Sequence, residues 1–269
     1  FVLFLVFAEL KTLYINYFQA SKISKLVYII KNTSNLVHET QIERGMSSGF
    51  LGSNGTLYRD ELKSQRKKSD EAFLIFKSSL DSLVLENYSA DLKASSEKVI
   101  NIFNNLSSVR SMVDSFALTA PETVGFYDKM NDETLKLIEP ISFLAPNNEI
   151  FNSIKAYLLF LFSKERTGIE RATLNNAFSS NKFNPGMFLI FSSLMTEQEL
   201  FMKEFVFYSS KENVDYVNNK LEGNAIVEVN RMRKIAIDNY DIGNFNINPK
   251  YWFSTITEKI NIMKEIEDY

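Results

Sequence analysis

The chain has 269 residues, 45% of them hydrophobic, with five prolines, nine glycines and no cysteine. So much apolar material can fill a sizeable core, and so little Pro and Gly points to long helices rather than many short strands. The missing cysteine excludes a disulfide framework, a thiol nucleophile and a cysteine metal site. A net charge of −3 lacks the basic footprint of a nucleic-acid binder.

Phe1 to Ala8 are apolar and uncharged. A spanning helix needs about 20 such residues, so this stretch reads as the end of a first transmembrane helix ahead of one all-helical domain over 9–269. Glu9 to about Phe50 form one long helix, with Ile23, Leu26, Val27, Ile30 and Val37 at helical spacing and Gly49, Gly52, Asn54 and Gly55 ending it. Further helices cover roughly Leu57–Val84, Asp91–Leu118 and Pro121–Pro140, with Thr119 as the cap and Pro121 at the first position of the last. After Ala145-Pro146-Asn147-Asn148 comes a long helix, about Ile150–Phe178. The turn Asn184-Pro185-Gly186, with Asn184 as the cap and Pro185 at the first helical position, opens Met187–Phe207, a polar stretch with Gly223 leads to Ala225–Tyr240, and Gly243–Pro249 loops into Tyr251–Tyr269. About eight helices with short connections make an all-α chain. Helices near thirty residues are too long for one compact four-helix bundle, so two four-helix bundles sharing long helices, in a rod-like domain, are expected.

Chemistry shows where a buried stripe stops being apolar. In the first helix Ile23, Ile30, Val37 and Arg44 repeat every seven residues, with Gln41 and Ser48 on the same face. In the long middle helix Tyr157, Lys164, Arg171 and Phe178 share one such position, and Glu165-Arg166 and Glu170-Arg171 bracket Thr167-Gly168-Ile169. In the penultimate helix Arg233 interrupts the stripe Ile226, Val229, Ala236, Tyr240, whereas Arg231 lies off it beside Val227 and Ile235. An inward arginine must satisfy five donors. Glu43, Glu165 and Glu170 could supply internal ion pairs. If three such arginines converge, they form a donor-rich cavity suited to a small oxyanion, which matches the guanidinium fork.

Five segments in order carry a resemblance. They are Gln41–Gly45 continuing to Gly49-Phe50-Leu51-Gly52; Gln65-Arg66 with Asp70; Lys164 through Ala172; Asn230-Arg231-Met232-Arg233; and Tyr251-Trp252-Phe253 with Thr255 to Ile260. Together, from about Thr40 to Glu267, they resemble the nitrate- and nitrite-sensing (NIT) domain of bacterial receptors. The resemblance implies an all-helical fold of two four-helix bundles and a nitrate or nitrite ligand held by arginines. That role carries to Arg44 and Arg171. Between Arg231 and Arg233 the motif does not decide, and the stripe favours Arg233.

The expected protein is thus the periplasmic sensor domain of an inner-membrane receptor, foremost a chemoreceptor. It is expected to be homodimeric and to signal by helix displacement, without cofactor, metal or nucleic acid. Another small anion such as a carboxylate, or a structural module with its arginines locked in ion pairs, are the other readings. An enzyme is not expected, since no acid, base or nucleophile set stands out. His38, the lone histidine, has no metal-spaced carboxylates around it, and Trp252 and Phe253 read as core anchors.

Overall fold

The structure is a computed structural model that describes residues 2–81 and 89–269, with side chains from residue 20 onward. The apolar side chains of Phe1–Ala8 and the expected end of the second helix at residues 82–84 lie outside the described residues. Among the described residues no helix is long and apolar enough to cross a membrane.

Every regular element among the described residues is helical, so the chain is all-α. The expected helices are present, two of them divided, and one more is added. They are α1 (Val2–Gly52), α2 (Arg59–Asp81), α3 (Ala90–Asn104) and α4 (Leu106–Asp114), then α5 (Ala120–Lys136), α6 (Ile138–Ser142) and α7 (Asn148–Ser180). Next come α8 (Met187–Tyr208), α9 (Lys211–Lys220), α10 (Asn224–Asp238) and α11 (Pro249–Asp268). The third expected helix breaks at Asn105 and the fourth at Leu137. The added helix, α9, is capped by Ser210, whose hydroxyl accepts from the Asn213 amide.

The chain forms two compact units, Phe1–Phe151 and Asn152–Tyr269. In the first, α1 packs on α2 and α5, and α3 packs on α5. Phe50 and Leu51 from the end of α1 meet Leu62 near the start of α2 and Val113 near the end of α4, with Ala120 at the start of α5 beside them. The four legs therefore alternate in direction. The inward stripe of α1 runs through Leu26, Ile29, Ile30, Leu36 and Val37 to Arg44, which is only 4% exposed. Val27 points outward, 52% exposed.

The second unit has two apolar clusters. One gathers Leu174 and Phe178 of α7, Phe191 of α8, Val229 and Met232 of α10, and Trp252 and Ile256 of α11. The other gathers Leu159 and Phe160 of α7, Phe205 of α8, Val217 of α9, and Met263 and Ile266 of α11. Along α7 the chain passes from the second cluster to the first, along α8 it returns, α9 and α10 go forward again, and α11 comes back. Four antiparallel legs result, the third made of two helices joined at Leu221–Gly223. Gly223 sits at φ 153°, a left-handed conformation that a side chain would oppose.

Candidate functional site

In the first unit the inward stripe of α1 ends in charge. Arg44 donates from Nη1 to Asp128 Oδ1 of α5 at 2.5 Å. Its neighbour Glu43 is fully buried and accepts from Arg110 Nε at 2.7 Å, Arg110 Nη2 at 2.9 Å and the Tyr127 hydroxyl at 2.6 Å. Arg110 also donates from Nη1 to Asp70 at 2.6 Å. Arg66 grips Asp114 with both terminal nitrogens, at 2.8 and 2.9 Å. Burial by itself would raise the Glu43 pKa; the Arg110 fork and the Tyr127 hydroxyl outweigh it and hold the carboxyl below its ordinary range. Three carboxylates (Glu43, Asp70, Asp114) thus face two arginines (Arg66, Arg110), and Arg44 faces Asp128.

The second unit carries a polar layer between its two apolar clusters. Glu170 of α7 is fully buried. It accepts from Arg233 Nε at 2.6 Å and Nη2 at 2.5 Å, and from Gln198 Nε2 of α8 at 2.9 Å. Gln198 Oε1 in turn accepts from Arg233 Nη2 at 2.7 Å and from the Thr167 hydroxyl at 3.0 Å. Against the rise that burial would cause, the Arg233 charge and fork, the Lys259 charge and the Gln198 amide keep Glu170 below its ordinary pKa. Lys259 of α11 reaches this layer on the inward stripe that joins Trp252, Ile256 and Met263. Burial first, and then the Arg233 charge, push its ammonium down to about 8, with Glu170 acting in the opposite sense.

Arg171 leaves α7 on another side. It donates from Nη1 to the Thr257 hydroxyl at 3.0 Å, and its guanidinium lies over the Phe253 ring, 4.8 Å from the centroid. A cation is attracted to the face of an aromatic ring. The backbone carbonyl of Arg171 accepts from Trp252 Nε1 at 3.0 Å. Trp252 is the fully buried anchor expected of it, whereas Phe253 is partly exposed beneath Arg171. Arg231 sits on the exposed face of α10, paired to Glu228, which also accepts from the Tyr251 hydroxyl at 3.0 Å.

The structure therefore buries Arg44 in the first unit, places Arg171 and Arg233 in the second, and leaves Arg231 at the surface. Sequence reasoning named Glu170 as an ion-pair partner but missed Arg110, Asp128, Gln198 and Lys259. Two of these had a signal. Gln198 stands seven residues from both Phe191 and Phe205, and Lys259 seven from Trp252, so both break an apolar stripe as Arg44 does. Arg110 and Asp128 had none, because their partners lie 67 and 84 residues away. Among the described residues no group of three or more His, Cys, Asp or Glu side chains could hold a metal ion.

Comparison with known proteins agrees with this arrangement. A solved chain reported as "Structure of the NasR transcription antiterminator" shares the fold, with a TM-score of 0.85 at 19% identity, covering 98% of this chain and 71% of that one. No curated protein matches. A family model described as nitrate and nitrite sensing matches residues 35–269, a span that takes in the buried charges of both units. The chain belongs to the nitrate- and nitrite-sensing (NIT) family.

Proposed function

We propose that the chain is the ligand-binding sensor domain of a bacterial transmembrane receptor, foremost a chemoreceptor. In this reading it lies outside the inner membrane, works as a homodimer, and binds nitrate or nitrite through Arg44, Arg171 and Arg233. The observation that carries the anion is the family match over residues 35–269, taken with buried cations on α1, α7, α10 and α11. Arg233 has the third place rather than Arg231, since Arg231 is exposed and held by Glu228. Bound anion must favour one signalling state over the other, and a helix shift of about 1–2 Å is the usual size of such a response.

Arg171 is the position to test first, because its guanidinium is half-buried over the Phe253 ring, bonded to the Thr257 hydroxyl, where a small ion can reach it. Titration calorimetry with nitrate and nitrite should give dissociation constants of about micromolar strength, near −8 kcal/mol. Arg171→Ala and Arg44→Ala should each weaken binding at least about tenfold. Heat from neither anion at millimolar concentration would refute the reading. A second reading has an observation in its favour: Arg44–Asp128 and Arg233–Glu170 are already ion pairs, as in a purely structural module. It predicts that the same substitutions lower stability and leave every anion response unchanged. A screen of carboxylates alongside nitrate separates the choice of ligand from the choice of role.

A further inference from the structure

The two clusters of charge differ in balance. The first unit sets three carboxylates against two arginines and pairs Arg44 with Asp128. Among the described residues this cluster has no surplus positive charge. In the layer of the second unit the charges that act on Lys259 are those of Glu170 and Arg233. Arg233 takes up both oxygens of Glu170. Among the described residues Lys259 donates no hydrogen bond and forms no ion pair, although Glu170 and Arg233 face it from α7 and α10. From α8 the group in the layer is Gln198, which carries no charge. Glu199, whose charge also acts on Arg233, and Glu258 are exposed to water, where their pull is weakened by screening.

A lysine ammonium between two apolar clusters, beside a guanidinium and only partly in water, is stabilised by an anion or by loss of its proton. Lys259 is also not sealed off, being only half-buried, so a small ion has a way to it. We propose that Lys259 is an anion-binding residue of the second unit, and that the layer's one surplus positive charge selects a monovalent oxyanion. The proposal rests on the sensing role above and deepens it, adding a cation to the arginines and a rule of charge to the ligand. Nitrate and nitrite satisfy that rule; sulfate would leave the layer with a surplus negative charge and a second charge to desolvate.

The ammonium binds the anion only when protonated. Because Lys259 is pushed down to about 8, nitrate binding near that pH must draw a proton onto it. Calorimetry of the whole chain with sodium nitrate, in two buffers of different ionisation heat, reads that uptake directly. The wild type should take up a fraction of a proton at about pH 8, and its affinity should fall by up to about tenfold per pH unit above that point. Lys259→Met should bind nitrate at least about tenfold more weakly at about pH 7 and take up no proton. Lys259→Arg should restore binding and remove the alkaline fall, since a guanidinium keeps its charge. Sulfate should not compete. A thermal melt without ligand guards against misfolding, and Lys259→Met should melt no lower than the wild type because it removes a buried charge. Nitrate binding by Lys259→Met at wild-type strength, or sulfate competing as well as nitrate, overturns this proposal alone. No nitrate or nitrite binding by the wild type overturns the sensing role with it.

Discussion

Glu43 and Arg110 show what a buried charge does when it is not there for a ligand. The carboxylate is fully buried, and its partners Arg110, Tyr127 and, at 4.0 Å, Arg66 come from other helices of the first unit. Two ions taken out of water recover the desolvation cost only with such geometry, so the pair orients α1 rather than adding much net stability. Removing one partner leaves the other charge stranded. Arg110→Met should therefore destabilise the protein by about 3–5 kcal/mol, while Glu43→Met combined with Arg110→Met should recover much of that loss. Urea unfolding of the single and double variants measures both. Equal losses in the single and the double variant would mean that packing by the arginine stem, not its charge, is what counts.

At the scale of helices, the start of α5 is fixed locally. The Thr119 hydroxyl accepts from the Glu122 amide, and the Glu122 carboxylate accepts from the Thr119 amide at 2.8 Å, a reciprocal cap with Pro121 just inside the helix. Thr119→Ala should lower stability by about 1 kcal/mol without altering anion binding, read by urea unfolding beside calorimetry. This cap was legible in the sequence because everything it needs lies within four residues. So were the length of α7 and the presence of a turn before α8, where apolar spacing and a few Pro and Gly residues suffice, but the cap is Gly186 in a left-handed conformation, not Asn184, and Pro185 stays in the turn. The breaks at Asn105 and Leu137 were not legible, since apolar spacing runs through both. α9 was hidden differently: Val217 is its one fully buried side chain, so no stripe marks it. In the site, Arg44 and Arg233 showed themselves as interruptions of apolar stripes, but Asp128 and Arg110 lie on other helices and become partners only when the chain folds. Arg171 was legible as a stripe position, yet its resting place over Phe253 depends on where α11 docks.

For the whole molecule the buried carboxylates set the acid limit. Glu43 in the first unit, and Glu170 and Glu267 in the second, are each held below the ordinary carboxylate range despite burial, by Arg110, by Arg233 and by Lys164 with Lys264 respectively. A carboxyl whose folded pKa is depressed contributes stability at pH above its unfolded pKa, and that contribution is lost as pH falls through the folded value. Between the unfolded pKa, about 4.3, and the folded values, the unfolded chain carries more protons at these three sites. Stability there should fall by up to about 4 kcal/mol per pH unit, since each site contributes at most about 1.36. Exposed carboxylates such as Glu122 and Glu228, also lowered by their partners, add to the slope only through interactions that salt screens. Acid unfolding followed by circular dichroism at low and at high salt should therefore keep most of its steepness at high salt. Glu170→Gln should remove about one proton from that slope, because an amide cannot titrate. A slope that salt abolishes would place the acid limit on surface charge instead of on the three buried carboxylates. Since two of the three belong to the second unit, the same loss should release Arg233 from Glu170 as the pH falls, leaving the polar layer with more positive charge just as the fold that holds it gives way.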